Sequence, residues 1–273
     1  MIRIRVGSQF VQISGSTVLL TGATGGIGQA IARALAERGA KLVLTGRRSD
    51  VLEPLATELG GRALAVDLAD RAAVEQLASD VPDTDILIAN AALPATGTLD
   101  SFSVAEIDRA LDVNLRAPII LSRALSPAML TRGRGQLVFI SSLSGKAATS
   151  RTALYNTSKF GLRGFASALR GDLHGTGVGV SAIFPGFIRD AGMFADAEVK
   201  LPPGIGTKTP EDVARAVVKA IEHDRAEIDV APLPLRASTV FASLAPELAA
   251  RMGRRLGSED ITRQMHEGQR EKR

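Results

Sequence analysis

Thr17-Val-Leu-Leu-Thr-Gly-Ala-Thr-Gly-Gly-Ile-Gly28 decides the fold. A short apolar run, Thr17–Thr21, ends in glycines. Residues 26–38 follow, with Ile27, Ile31 and Leu35 four apart on one helical face. The stretch reads as a strand, a glycine-rich turn and the opening of a helix. Glycines allow a tight turn and let backbone N–H groups approach a pyrophosphate. The helix N-terminus adds donors and a favourable dipole. Gly22, Gly26 and Gly28 have the spacing GxxxGxG; Gly22, Gly25 and Gly28 also satisfy GxxGxxG. A glycine motif alone is weak, but between a strand and a helix it marks a dinucleotide cradle. Gly22, Thr24, Gly25, Gly26, Ile27 and Gly28 are its candidate contacts.

Outward from this stretch, strand-like and helix-like segments alternate. Strands are expected at Lys41–Thr45, Ala63–Val66, Ile86–Ala89, Gln136–Ser141, Val178–Phe184 and Glu227–Val230. Helices are expected near 49–59, 70–80, 103–131, 153–174 and 210–223. Gly39 stands where a helix C-cap glycine belongs, and Asp70 where an N-cap belongs. Short, continuous apolar strands imply a sheet covered on both faces. Strict alternation implies parallel pairing. The expected fold class is α/β: a doubly wound, Rossmann-type, mostly parallel sheet with helices on both faces, binding ligands at the carboxyl ends of its strands. That domain spans 14–231. Residues 1–13 read as an N-terminal extension or edge strand. Residues 232–273 read as a C-terminal helix and basic tail: Val240, Leu244, Leu248 and Met252 give one amphipathic helix over 238–256, and a frayed polar tail follows. Residues 190–209, with Met193, Phe194, Leu201 and Ile205, form a connection long enough for a lid or binding loop.

Composition narrows the function classes. The chain has 273 residues, 45% hydrophobic and 23% charged, as an ordinary globular protein has. It has no cysteine, which removes disulfides, thiolate nucleophiles and cysteine-ligated zinc. His174, His223 and His266 have no metal-ligand spacing, so no metal is expected. The net charge of +4 is divided unevenly: residues 251–273 carry +3 and residues 1–13 carry +2, leaving −1 for the body. A neutral body with 4% aromatic residues is not a nucleic-acid surface. No segment is long and apolar enough to span a membrane, and the N-terminus lacks the apolar core of a signal peptide. A cytoplasmic location is expected. Arg251, Arg254 and Arg255 keep open a peripheral membrane contact by the C-terminal helix.

The end of the second strand bears on the dinucleotide. An acidic residue there would accept from a ribose 2′-OH. The chain instead has Gly46, then Arg47 and Arg48, which suit a 2′-phosphate. NADP(H) is the expected cofactor. Asp67, followed by Leu68 after the third strand, is either an adenine contact or a turn carboxylate. Tyr155 and Lys159 lie four apart, on one helical face. A phenol titrates near 10, and an ammonium alongside lowers that value, so the pair is a workable general acid/base. Tyr155 is the sole tyrosine.

Taken together, the sequence resembles the compact branch of the short-chain dehydrogenase/reductase family. The resemblance covers residues 16–231 and rests on TGxxxGxG at 21–28, an NAG-like element at 90–92, Asn114, Ser142, YxxxK at 155–159 and Pro185-Gly186. Ser142 is preferred to Ser141 and Ser144 because twelve residues separate it from Tyr155, the family spacing. The resemblance implies hydride transfer between a nicotinamide and a ketone or secondary alcohol. Tyr155 would act as acid/base and Ser142 would hydrogen-bond the reacting oxygen. Lys159 would tune Tyr155 and hold the nicotinamide ribose, and Asn114 would hold a water that relays protons to Lys159. Asn90, Ala91, Pro185, Gly186 and Ile188 would contact the cofactor. It also implies a homodimer or homotetramer formed through 103–131 and 153–174. Two departures stand out. The family's NNAG reads Ala89-Asn90-Ala91-Ala92, and Asp190 stands where a threonine usually lies near the nicotinamide amide. Two rival readings are a catalytically silent nucleotide sensor or scaffold and a sugar-nucleotide epimerase or dehydratase. The intact Tyr155/Lys159 pair opposes the first, and the short C-terminal part opposes the second.

Overall fold

The computed structural model describes residues 11–197, 199, 201, 205–255 and 258–269. Residues 1–10, with Arg3 and Arg5, lie outside them, as do residues 202–204 of the long connection. The described end of the N-terminal extension, 11–13, is not a strand; Val11 and Ile13 are buried in the core.

Seven strands form one parallel sheet: β1 (Thr17–Thr21), β2 (Lys41–Gly46), β3 (Arg62–Ala65), β4 (Ile86–Ala89), β5 (Gly135–Ile140), β6 (Val178–Pro185) and β7 (Glu227–Val230). Their order is β3-β2-β1-β4-β5-β6-β7. The chain leaves β1 in one direction for β2 and β3, then returns to β1's other side for β4, creating the switch point where such sheets bind ligands. Between strands run α1 (Gly26–Ala36), α2 (Ser49–Glu58), α3 (Arg71–Asp80), α4 (Val104–Leu111), α5 (Ala117–Arg132), α6 (Ala153–Asp172) and α7 (Pro210–His223).

Strand alternation sorts the core into two layers. Val18 and Leu20 pack with Ile31 and Leu35 of α1, Leu52 of α2 and Val217 of α7. Leu19 faces the other way, onto a layer with Leu77 of α3, Leu125 of α5 and Leu162 of α6. Each face of β1 is thus apolar, and both faces are covered. The expected caps are present. Asp70 accepts from the N–H groups of Ala72 and Ala73, and Gly39 takes φ +76°, a conformation that side-chain-bearing residues avoid.

Two departures from the sequence reading matter for the site. The helix expected over 103–131 is not continuous: residues Asp112–Arg116 form a π-turn between α4 and α5, and Asn114 lies in it. Such turns recur at functional positions. The C-terminal part is not one helix with a frayed tail but three: α8 (Leu233–Leu244), α9 (Pro246–Arg255) and α10 (Ser258–Gln269). Pro246 causes the first break, because the residue before a proline is driven out of helical geometry. Ala245 has φ −136°, ψ 67°. α10 is held onto the body: His266 Nδ1 lies 2.9 Å from the Thr96 carbonyl, and the Gln269 side chain donates to the Met193 carbonyl at 2.9 Å.

Candidate active site

The glycine turn between β1 and α1 is packed to its limit. Gly22 has φ +69°, and a Cβ there would lie 2.7 Å from the Ala91 Cα. At Gly28 it would lie 2.2 Å from the Gly22 carbonyl oxygen. No other residue fits either place. At Gly26 a Cβ would meet the Ala191 side chain at 2.2 Å, and one at Gly192 would lie 3.3 Å from Ile27 Cδ1. The start of the long connection therefore folds down over the cradle. Asn90 braces it from beneath: its amide donates to the Thr21 and Gly22 carbonyls, both at 3.1 Å, while the N–H groups of Asn90 and Ala91 donate to the Thr21 hydroxyl. The structure thus commits the Asn90 side chain to joining β1 and β4.

At the end of β2, Gly46 leaves room for Thr24, whose Cγ2 would stand 2.9 Å from a Cβ. Arg48 donates to the Thr24 carbonyl at 2.7 Å, tying α2's start to the glycine turn. Arg47 is exposed beside it. Asp67 accepts from the Ala69 N–H at 3.0 Å and pairs with Arg109 at 2.9 Å. Burial alone would raise its carboxyl, but the Ala69 N–H, Arg109 and the field of Arg47 hold it below the usual range. Of the two roles open to Asp67, the turn carboxylate is the one its contacts fill. Leu68 is buried in the core, so any cofactor contact it makes is through its backbone.

Beyond the C-terminal ends of β4, β5 and β6 opens a cavity of about 820 Å³. Ser142, Tyr155 and Lys159 line one wall, with Asn90, Pro185, Gly186 and Ile188 adjoining. Phe187, Met193 and Phe194 of the connection and residues of α8, α9 and α10 complete it. The Ser142 hydroxyl stands near enough to the Tyr155 phenol to draw its pKa down. The Ser142 hydroxyl also accepts from the Ser144 N–H at 3.1 Å and reaches the Pro185 carbonyl at 3.4 Å. Ser141, which also lines the cavity, donates to the Lys159 carbonyl at 3.1 Å. Lys159 is buried, with Nζ 5.6 Å from the Tyr155 ring centroid and donating to the Ile140 carbonyl at 3.0 Å.

The pKa expectation needs correction. Burial pushes the Tyr155 phenol up to about 12, against a smaller downward pull from Ser142. The Lys159 ammonium, with one of its N–H groups on the Ile140 carbonyl, does not overcome that burial. Lys159 is itself pulled down to about 8, because an ammonium out of water is disfavoured.

Asn114 is buried, and both ends of its amide hold the backbone of Leu93. The Leu93 N–H donates to Oδ1 at 2.6 Å, and Nδ2 donates to the Leu93 carbonyl at 2.9 Å. This pins the segment after β4 at the edge of the site. The side chain is thereby a brace for that segment. Asn114→Ala would leave both Leu93 groups unpaired. We expect a loss of about 2–4 kcal/mol in urea unfolding at neutral pH; a loss under about 0.5 kcal/mol, the usual size of a surface substitution, would show that the clamp is dispensable. Asp190 has φ +70° and a side chain two-thirds exposed, paired with Arg189 at 3.3 Å. Its charge is thus turned outward and largely neutralised.

Some site residues gave no signal in the sequence. Arg109 fixes Asp67, Thr96 receives α10, and Leu235, Thr239 and Phe241 of α8 line the cavity. Only the amphipathic spacing of the C-terminal part marked that region at all. Among the described residues, no group of three His, Asp or Glu could hold a metal ion. No helix there is long and apolar enough to cross a membrane.

Comparison with known proteins agrees with this architecture. The sequence model of the short chain dehydrogenase family matches residues 16–201. The chain belongs to that family. This short-chain dehydrogenase is 39% identical over 242 residues to the ketoacyl reductase HetN of Nostoc, covering 85% of this chain and 84% of that one. It is 36% identical over 216 residues to the NADP-dependent 3-hydroxy acid dehydrogenase YdfG of Salmonella typhi, covering 73% and 86%. A short-chain dehydrogenase from Sphingobium yanoikuyae, solved in complex with NADPH, superposes with a TM-score of 0.74 at 26% identity, over 86% of this chain and 95% of that one. Family membership carries oxidoreductase activity in the broad sense and the compact, single-domain architecture.

Proposed function

We propose that this short-chain dehydrogenase is an NADP(H)-dependent oxidoreductase that interconverts a ketone and a secondary alcohol. The observation that carries the proposal is the convergence of the Tyr155 phenol, the Ser142 hydroxyl and the Lys159 ammonium on one wall of the cavity. A bound nicotinamide supplies or accepts the hydride. With its pKa near 12, the phenol is protonated at neutral pH and donates its proton to a carbonyl oxygen. Ser142 donates a hydrogen bond to that same oxygen and stabilises its growing charge. The nearby Lys159 ammonium stabilises the phenolate left behind, and in alcohol oxidation the phenolate recovers the proton.

The residues fit a dinucleotide. The close backbone packing at Gly22 and Gly28 suits the tight strand-to-helix turn that presents N–H groups to a pyrophosphate. At the end of β2, Gly46 puts no carboxylate against a 2′-phosphate, and Arg47 is free of any ion pair among the described residues. Gly22, Thr24, Gly25, Gly26, Ile27 and Gly28 would hold the pyrophosphate, and Arg47 and Arg48 the 2′-phosphate. NADPH and NADH titrations, on the parent and on Arg47→Ala/Arg48→Ala, test this. The parent is expected to favour NADPH, and the double variant to lose roughly 10–100-fold in NADPH affinity, the value of one or two charge-assisted contacts, with NADH nearly unchanged. Equal losses for both cofactors would end the NADP(H) assignment.

The names of the two relatives direct the substrate panel to 3-oxoacyl compounds and 3-hydroxy acids beside simple ketones. The cavity's mostly apolar walls suit an acyl chain. Turnover confined to charged sugar nucleotides would overturn this reading. Assembly as a homodimer or homotetramer belongs to the same proposal. Leu130 on α5 and Phe160 on α6 are exposed, on the helices that would pair.

A further inference from the structure

The helices after β7 leave an apolar face uncovered. On α8, Leu233, Val240, Phe241 and Leu244 are exposed; α9 adds Leu248 and Met252. Leu233 is 75% and Leu244 80% exposed. Soluble proteins rarely leave large side chains clustered this way without a partner. Along α9, Leu248, Arg251, Met252 and Arg255 recur at intervals of three and four, so apolar and cationic groups share one face. Glu247 is the sole acidic residue of α9 and stands 3.9 Å from Arg251. Phe241 and Met252 also line the cavity, which makes the exposed face continuous with its mouth.

We propose that the α8–α9 face docks on an anionic lipid surface. Its leucines, Val240 and Met252 would enter the interface while Arg251 and Arg255 meet the headgroups. The charge pattern selects lipid over a second copy of the chain: a two-fold contact through this face would bring the same cationic patch up from both sides, whereas an anionic bilayer complements it. The cavity mouth would then open toward the bilayer and admit an apolar carbonyl compound directly. That last consequence rests on the oxidoreductase reading; the docking itself does not.

Flotation of the full chain with vesicles separates the two. Vesicles of phosphatidylcholine with phosphatidylglycerol are expected to carry the protein at low salt, and those of phosphatidylcholine alone to carry little. High salt should release it, since exposed charges are screened beyond a few ångströms there. Arg251→Gln/Arg255→Gln should weaken binding roughly thirtyfold, as two headgroup-facing arginines are worth. Leu244→Ser/Leu248→Ser should abolish flotation while NADPH titration and the melting temperature stay at parent values. Absence of flotation with anionic vesicles overturns the proposal. So does flotation that neither double variant reduces. Sedimentation showing self-association that Leu244→Ser/Leu248→Ser abolishes, without vesicle binding, would also overturn it and assign the face to a second copy. Loss of ketone turnover with intact flotation would count against the oxidoreductase reading alone.

Discussion

Tyr155→Phe is expected to lower kcat for ketone reduction by about 10²–10⁴-fold, the value of a positioned general acid, with NADPH affinity changed less than roughly threefold, as expected for an interaction made only in the transition state. The substitution removes one oxygen and keeps the ring that packs beside Leu154 and Phe102. Fold and cradle should therefore survive, and the loss should appear in kcat. Because Tyr155 is the only tyrosine and tryptophan is absent, ultraviolet difference titration of the phenol reads this residue alone. Its midpoint is expected near 12, held up by burial. The sign follows directly. A phenol with a raised pKa keeps its proton throughout the neutral range, so reduction should be flat with pH there. It should fall as Lys159 loses its charge near 8 and ceases to stabilise the phenolate. A Tyr155→Phe variant with parental turnover would remove the phenol from the mechanism. A midpoint near 10 or below would mean that burial does not govern it.

The parts of the site that were legible in the sequence are those whose chemistry is local. Gly22 is fixed by its φ of +69° and Gly28 by the approach of the Gly22 carbonyl in the same turn, and a glycine pattern between strand and helix reports them. Tyr155 and Lys159 share a face because four residues make about one helical turn. All seven strands appear where short apolar runs place them: the inner five are almost wholly buried and tolerate little else, while the edge strands β3 and β7 are partly exposed. What failed was set by tertiary contact. Nothing near Asn114 announces a π-turn, and nothing near Leu93 announces that an amide twenty-one residues on will grip its backbone. The spacing of Tyr155 and Lys159 gives no sign of the burial that raises the phenol, which is set by the surrounding fold. The closeness of Ala191 to Gly26 depends on how the long connection lies over the sheet. One signal was present and passed over: Pro246, in the middle of a periodic apolar pattern, divides it into α8 and α9.

Lys159→Met should abolish most activity and, near neutral pH, stabilise the fold. The parent must bury an ammonium whose pKa falls from 10.5 to about 8. That shift corresponds to about 3 kcal/mol of penalty on the charged form. The sign of the pH dependence follows from proton counting. Between about 8 and 10.5 the unfolded chain holds a proton on this lysine that the folded chain has lost, so parent stability rises across that window. Below 8 the full penalty applies, and above 10.5 none of it does. A methionine has no such penalty and nearly the same length, but it leaves the Ile140 carbonyl without its 3.0 Å donor, which costs about 1 kcal/mol. The variant should therefore be more stable than the parent by about 1–2 kcal/mol near pH 7. It should be slightly less stable above about pH 10.5, with the two curves crossing between. Urea unfolding at matched pH values measures the difference, and other titrating groups cancel in it. A difference that does not change with pH would show that Lys159 is not held against its own solvation. A crossing in the expected window, together with lost turnover, would show that the active site keeps a charge where stability alone would not place one.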